Sequence, residues 1–376
     1  MLNYFENNNE LEAYKGCYKC YKLPLLEQIL TEPLSEMKLL PKEAIDTAEQ
    51  HLGDILALAL MHRPQQAAIV VFDSQSPLAR ALTEAYRRCL PAATFIDFYA
   101  VSPTEVTTAF ETLRPADLVV LIQSSSFRMD AFRLRVELFK QGLKVIEHPH
   151  LARMSGVEAG YYIDSLAYDP VYFRGVGTAL KNLIDKASSG VIDSGGERLV
   201  FGSALEPAKL NVGDYSGMQN IGGQFPIGEV FTEAQDLEAV NGRVRIFAFA
   251  DTSFSVNKPE KPITLVVSKG RVSDALDSTP EFDKVLANIR ADEGEVWLRE
   301  LGFGMNRAFS PERIVSDIGT YERICGIHLS LGAKHGVYKK ANLRRKDTWH
   351  HVDVFAITQA VYLDEIAVFE KGAWKV

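Results

Sequence analysis

The spacing of apolar residues along the chain changes twice, and each change predicts a different kind of element. Between Ala44 and Met61 the residues Ile45, Ala48, Leu52, Ile55, Leu56 and Ala59 recur at helical spacing, so an amphipathic helix ending before Arg63-Pro64 is expected. A further apolar segment lies at Leu23 to Leu30. From Ala67 onward the pattern becomes short runs rich in Val, Ile and Phe at 67–72, 94–98, 117–122 and 143–147, which read as buried strands. Amphipathic stretches at 77–89, 103–113 and 128–141 separate them and read as helices. Ser76 and Ser102 each stand before a Pro at the first helical position, where a hydroxyl can cap the free backbone N–H groups. Strands alternating with helices imply right-handed crossovers and a parallel sheet, so this half predicts a doubly wound α/β domain.

Residues 151–187 read as helical, and the run from Ser188-Ser189-Gly190 to Gly195-Gly196 has the composition of a linker. The expected division is an N-terminal α/β domain over 1–195 and a C-terminal α+β domain over 196–376. In the second part, strands are expected at 243–250, 262–267, 271–273, 295–302, 326–331, 350–357 and 360–369, with Lys-Gly turns at 269–270 and 371–372 and one helix over 280–291.

Composition narrows the function classes. A chain of 376 residues with 47% hydrophobic and 24% charged residues has ample material for two cores. A net charge of −8 argues against nucleic acid as a partner, because phosphate neutralisation needs a clustered basic face. The basic run of Lys339-Lys340 with Arg344-Arg345-Lys346 reads as a solvated loop. The start of the chain lacks the basic and apolar regions of a signal peptide, and the longest apolar run, Ile55 to Met61, is far below the ~18 residues of a membrane span. Four cysteines form no disulfide framework, so a cytoplasmic location and no membrane association are expected. Cys17 and Cys20 make a Cys-x-x-Cys pair without the second pair that a zinc site needs.

Nor does the doubly wound half carry a nucleotide fingerprint. Its first strand-to-helix turn, Asp73 to Pro77, contains no glycine, and Gly175-Val-Gly177 reads as a helix start. Ser124-Ser125-Ser126 reads as a polar loop, and His148-Pro149-His150 as a loop with no carboxylates close in sequence.

Chemistry concentrates in the second half. Gly222-Gly-Gln-Phe-Pro-Ile-Gly-Glu229 places one acid in a stiff, glycine-rich loop. Downstream stand Glu300, His328 and His351-Val-Asp353, which together supply the carboxylates and imidazoles that divalent cations of borderline hardness accept. Strand alternation puts His328 and Ser330 on one face, with Ile327, Leu329 and Leu331 on the other. It puts His351 and Asp353 on a shared face with His350 turned away. Glu300 falls in step with Val296 and Leu298, an acid at the end of an otherwise buried pattern.

These residues, in this order, resemble the thermophilic aminopeptidases of the aminopeptidase T and aminopeptidase S type. The resemblance rests on Pro226-x-Gly-Glu-Val-Phe231, Asn241-Gly242, Glu300 with a following Gly and Asn, His328-Leu-Ser-Leu-Gly332 and His351-x-Asp353, and covers the C-terminal half. It implies a homodimeric exopeptidase with two divalent ions, Zn, Co or Mn, held by Glu229, Glu300, His328, His351 and Asp353, cleaving small peptides or related aminoacyl amides. The chain departs from the family's pattern at three places: His335 stands where a Tyr is usual, with Tyr338 three residues on; Arg299 replaces a Gly; and Tyr321-Glu322-Arg323 replaces Asp-Glu-Asn. His335, Tyr338 and Glu322 are the candidates for proton transfer. The ring-opening dihydroxypyridine dioxygenases are similar to the same family, so a mononuclear Fe(II) site of His328, His351 and Asp353 is the alternative, beside a binding protein that kept the fold without the chemistry.

Overall fold

Helix caps form where the sequence places them. In the computed structural model, which describes residues 39–127, 129, 134–341, 343 and 348–376, Ser76 accepts the Ala79 N–H at 3.2 Å and opens the helix Pro77–Cys89. Ser102 and Glu105 exchange hydrogen bonds as a capping box at the start of Pro103–Glu111. Each cap satisfies backbone donors that the first helical turn leaves free, a contribution of ~1 kcal/mol. The Leu23 to Leu30 segment and the Cys17/Cys20 pair lie outside the described residues.

The chain divides into two units, one made of 39–173 with Gly213–Ile227 and the other of Arg174–Val212 with Gly228–Val376. The chain passes between the units after Phe173, Val212 and Ile227, and the stretch read as a linker near residue 195 lies inside the second unit. Gly195 (φ 67°) and Gly196 (φ 95°) form the tight turn of a hairpin between the strands Gly190–Ser194 and Glu197–Phe201. A two-glycine hairpin turn has the same composition as a linker, and periodicity alone does not separate them.

In the first unit a five-stranded sheet runs in the order Thr94–Asp97, Ala68–Phe72, Leu118–Ile122, Lys144–His148, Ile221–Gln224. Every neighbouring pair is parallel. One face of the sheet packs Ile69, Val71, Val119, Leu121 and Val145 against Val106 and Phe110 of one helix and Leu138 and Phe139 of the helix Leu134–Lys140. The fifth strand comes from the glycine-rich stretch that reads as a loop in sequence. At Gly222 (φ 102°) a Cβ would stand 2.0 Å from the Val145 carbonyl oxygen, so this glycine exists for the approach of a neighbouring strand rather than of a ligand. Gly177 lies inside the helix Pro170–Ile184, as expected of a structural glycine. At the carboxyl end of the sheet, buried Asp73 accepts the N–H groups of Gln75 (3.0 Å) and Ser124 (2.7 Å). A carboxylate there takes the backbone donors that a phosphate would need.

The other face of the sheet is tied by a buried relay. Tyr162 donates to the Phe225 carbonyl at 3.1 Å. Its oxygen therefore accepts from His148 Nδ1 at 2.7 Å, and His148 Nε2 accepts from the Tyr86 hydroxyl at 2.8 Å. Both ring nitrogens are thereby used, and His148 is a core residue. His150 instead pairs with Ser126 Oγ at 2.9 Å.

The second unit holds a 14-stranded sheet whose neighbours all pair antiparallel. Its central run is Val240–Ala250, Val352–Ala356, Gly326–Leu331, Leu298–Gly304, Glu229–Glu233, Lys209–Asn211. The Lys-Gly turns have positive φ at both residues, as hairpin turns require: Lys269 50° and Gly270 73°, Lys371 51° and Gly372 76°. The single strand expected over 360–369 is a hairpin, Ala360–Leu363 and Ile366–Glu370, turning at Asp364. The expected helix spans Pro280–Glu293, capped by Thr279. No helix among the described residues is long and apolar enough to cross a membrane.

Burial pushes the His148 imidazole down to about 3 from an unfolded value of 6.5. Between these values the unfolded chain takes up a proton that the folded chain refuses, so stability is full above pH 6.5 and falls as the pH drops. One such group contributes roughly 2 kcal/mol of destabilisation by pH 5. Thermal unfolding of the wild type should therefore lose more between pH 7 and pH 5 than that of His148→Gln; parallel pH profiles would show that His148 is not buried neutral.

Candidate metal centre

Register in the second unit decides which side chains meet. Directly opposed residues on antiparallel strands share a face, and the pairs Gly302↔His328, His328↔Phe355, Ser330↔Asp353, Gly304↔Glu229 and Glu300↔Glu233 place Glu229, Glu233, Glu300, His328 and Asp353 on one side of the sheet. His328 and Ser330 share a face as the alternation predicts. Glu300 does not follow Val296 and Leu298: the register between the strands Leu298–Gly304 and Gly326–Leu331 shifts between Leu298 and Leu301, and this bulge turns Glu300 to the His328 face. The Ser330 hydroxyl fixes it by accepting the Glu300 N–H at 2.9 Å.

Glu229, Glu300 and His328 are 3%, 1% and 0% exposed, so solvent does not screen them. His328 Nε2 faces Glu229 Oε1 at 3.1 Å and Glu300 Oε1 at 3.5 Å. The outer oxygens face other groups: Glu229 Oε2 the Arg323 guanidinium at 2.8 Å and Glu300 Oε2 the His335 Nε2 at 3.0 Å. Burial disfavours charge on His328, but the two carboxylates outweigh it and push the imidazole up to about 10. Burial likewise raises the carboxyls, and the groups beside them outweigh it: Arg323 and His328 hold Glu229 below the usual range, and His328 and His335 hold Glu300 well below it.

Three donors from Glu229, Glu300 and His328 lie within 4.8 Å of one another and could hold a metal ion. The residues fit one on a second count. Glu300 Oε2, both nitrogens of His328 and His335 Nε2 are buried and lack an aligned hydrogen bond, although neighbouring atoms stand close. Native interiors leave few such atoms, and their concentration at one place suits a site whose bonds form to an ion. The group is not a lone set of exposed acids.

His351 and Asp353 form a pair at 3.1 Å between Nε2 and Oδ1, and do not join the three-donor group. Burial pushes His351 down to about 3, while burial and the nearby Glu322 charge hold the Asp353 carboxyl well above its ordinary value. His351 Nδ1 therefore donates to the Lys334 carbonyl at 3.1 Å and its Nε2 keeps a lone pair, the arrangement common among metal-bound histidines. His335 is the reverse. The Val337 N–H donates to its Nδ1 at 3.1 Å, so a neutral ring carries its proton on Nε2, facing Glu300. The Tyr338 hydroxyl donates to the Pro207 carbonyl at 2.8 Å, and Glu322 pairs with Arg323. His350 turns away to Asp292 at 2.6 Å.

Two contributors escape a reading of the sequence. Arg323 lies next to a buried acid only because the strand pairing brings it there, and its signal in sequence is a departure from a family pattern. Gly302 has none: a Cβ on it would stand 2.0 Å from His328 Cε1, so the imidazole occupies the space that a side chain would fill. Lys340 corrects the reading of its basic run as solvated. It is buried against Glu206 at 2.6 Å and Glu233 at 3.2 Å, while Arg299 pairs with Glu233 and bonds the Ala333 and Tyr338 carbonyls. Together they clamp the segment that carries His335.

No family model matches the chain, and no curated protein sequence does. Its fold is similar to that of 2,5-dihydroxypyridine dioxygenase from Pseudomonas putida KT2440, with TM-score 0.59 and 16% identity over 88% of this chain and 97% of that one. It is also similar to AmpT, aminopeptidase T, from Thermus thermophilus, with TM-score 0.54 and 16% identity over 88% of this chain and 99% of that one. At this identity the likeness establishes the fold.

Gly302→Ala should drive the His328 ring out of place, weakening divalent-ion affinity by roughly 10–100-fold and costing ~1–3 kcal/mol through overpacking. Titration calorimetry with Mn(II) and denaturant unfolding read the two effects; unchanged affinity would show that His328 is no ligand.

Proposed function

We propose that this chain is a metal-dependent hydrolase acting on amino-terminal peptide or related amide bonds. The observation that carries this reading is the carboxylate-rich donor group of Glu229 Oε1, Glu300 Oε1 and His328 Nε2 beside the His335 imidazole N–H. A mononuclear oxygenase site is built on two imidazoles and one carboxylate with open positions, whereas here two carboxylates gather around one imidazole. Similarity of fold to an aminopeptidase supports the same reading.

A divalent ion in such a site polarises a carbonyl and lowers the pKa of water. Glu229, Glu300 and His328 would hold it, and His351 and Asp353 would offer Nε2 and Oδ1 from the adjoining strand. Of the three proton-transfer candidates, His335 is the one with an N–H turned into the site. With its Nδ1 accepting from Val337, its Nε2–H serves as a hydrogen-bond donor to the oxygen that gains charge as the amide carbon becomes tetrahedral. Tyr338 anchors the same segment through Pro207. Burial keeps bulk water from the carboxylates and strengthens every charge interaction around them.

Glu300→Gln should lose bound metal and the hydrolysis of an aminoacyl nitroanilide together. His335→Asn should keep the metal and lose about 10²–10³-fold in turnover, the usual cost of removing one such donor. Metal analysis and a steady-state assay without oxygen consumption test both; full turnover in Glu300→Gln, or one iron per chain with oxygen uptake, refutes the hydrolase.

A further inference from the structure

A guanidinium already occupies the outer oxygen of one carboxylate that a second cation would share. A carboxylate that bridges two metal ions through both its oxygens must have both of them free. Glu229 Oε2 is bound by Arg323 at 2.8 Å, leaving Oε1 alone toward His328. Glu300 Oε2 lies 3.0 Å from His335 Nε2 without an aligned hydrogen bond, so it is the guanidinium on Glu229 that stands in the way of a second cation. Glu322 is taken by the same guanidinium. Arg323 is 2% exposed and its Nε has no partner, so this is a charge drawn into the interior, where a guanidinium is held only against strong compensation. That compensation is Glu229 and Glu322. Among the described residues, Arg299 and Lys340 both serve Glu233.

We infer that Arg323 stands in for a second metal ion, so that this chain binds one divalent cation, at Glu229 Oε1, Glu300 Oε1 and His328 Nε2, in place of the two that the aminopeptidase resemblance implies. The inference rests on the metal-dependent reading and narrows it. A guanidinium pairs with two carboxylates through one fixed charge and offers no coordination position, so water can be activated at one ion only.

The test is a count. Purified chain is stripped with chelator, saturated with Mn(II) and freed of excess, and the metal per chain is measured beside Glu229→Gln as the blank for adventitious binding. The wild type should hold one Mn(II) above that blank and Arg323→Ala two, whereas Arg323→Lys, which keeps the charge, should hold one. Stripped Arg323→Ala should melt at least roughly 5 °C lower than the wild type and recover on adding Mn(II), because an ion then replaces the missing charge. Two ions in the wild type overturn the inference, as does a single ion in a folded Arg323→Ala. If Arg323→Ala does not fold even with Mn(II), the wild-type and Arg323→Lys counts decide. No metal in the wild type above the blank is a separate result, and removes the hydrolase reading with it.

Discussion

Two carboxylates facing one imidazole inside a sheet set the terms for everything around them. Glu229 and Glu300 both aim an oxygen at His328 Nε2, and none of the three reaches solvent. At low effective dielectric two such anions repel strongly, so a positive charge must stand between or beside them. The chain provides a proton on His328 and the guanidinium of Arg323. A buried network of this kind is poor evidence of stabilisation, since apolar residues of the same volume commonly do as well or better. Its presence is easier to explain by what the site binds.

The sheet makes room for this charge with two devices that carry no charge themselves. Gly302 leaves a hole opposite His328, and Gly304, whose Cβ would lie 1.9 Å from the Ile324 carbonyl, lets the segment bearing Glu322 and Arg323 come against the strand. The bulge at Arg299 and Glu300 then changes which face the acid serves. Arg299 in turn reaches Glu233 and the carbonyls of the segment beyond the next strand, and so is part of the support for His335.

The opposite treatment of two histidines follows from backbone partners alone. A carbonyl at Lys334 makes His351 Nδ1 a donor and frees Nε2, while an N–H at Val337 makes His335 Nδ1 an acceptor and puts the proton on Nε2. The same side chain thus presents a lone pair from Nε2 in one place and an N–H from Nε2 in the other. In the first unit the relay through Tyr86 and Tyr162 does a third thing, holding His148 neutral as packing material.

Local patterns were sufficient for what depends on neighbours in sequence. The strands 68–72, 94–97, 118–122 and 144–148, the Ser76 and Ser102 caps, the Lys-Gly hairpins and the shared face of His328 and Ser330 all follow from periodicity and from the conformations that Ser, Pro and Gly favour. The unit boundary, the role of Gly222 and the face of Glu300 did not, because a turn and a linker share a composition, a glycine does not say what approaches it, and one extra residue in a strand reverses its alternation. That Arg323 would lie on Glu229, that Lys340 would be buried and that Gly302 would make space for an imidazole depend on residues far apart in the chain. Only strand pairing, which no single stretch encodes, brings them within reach of one another.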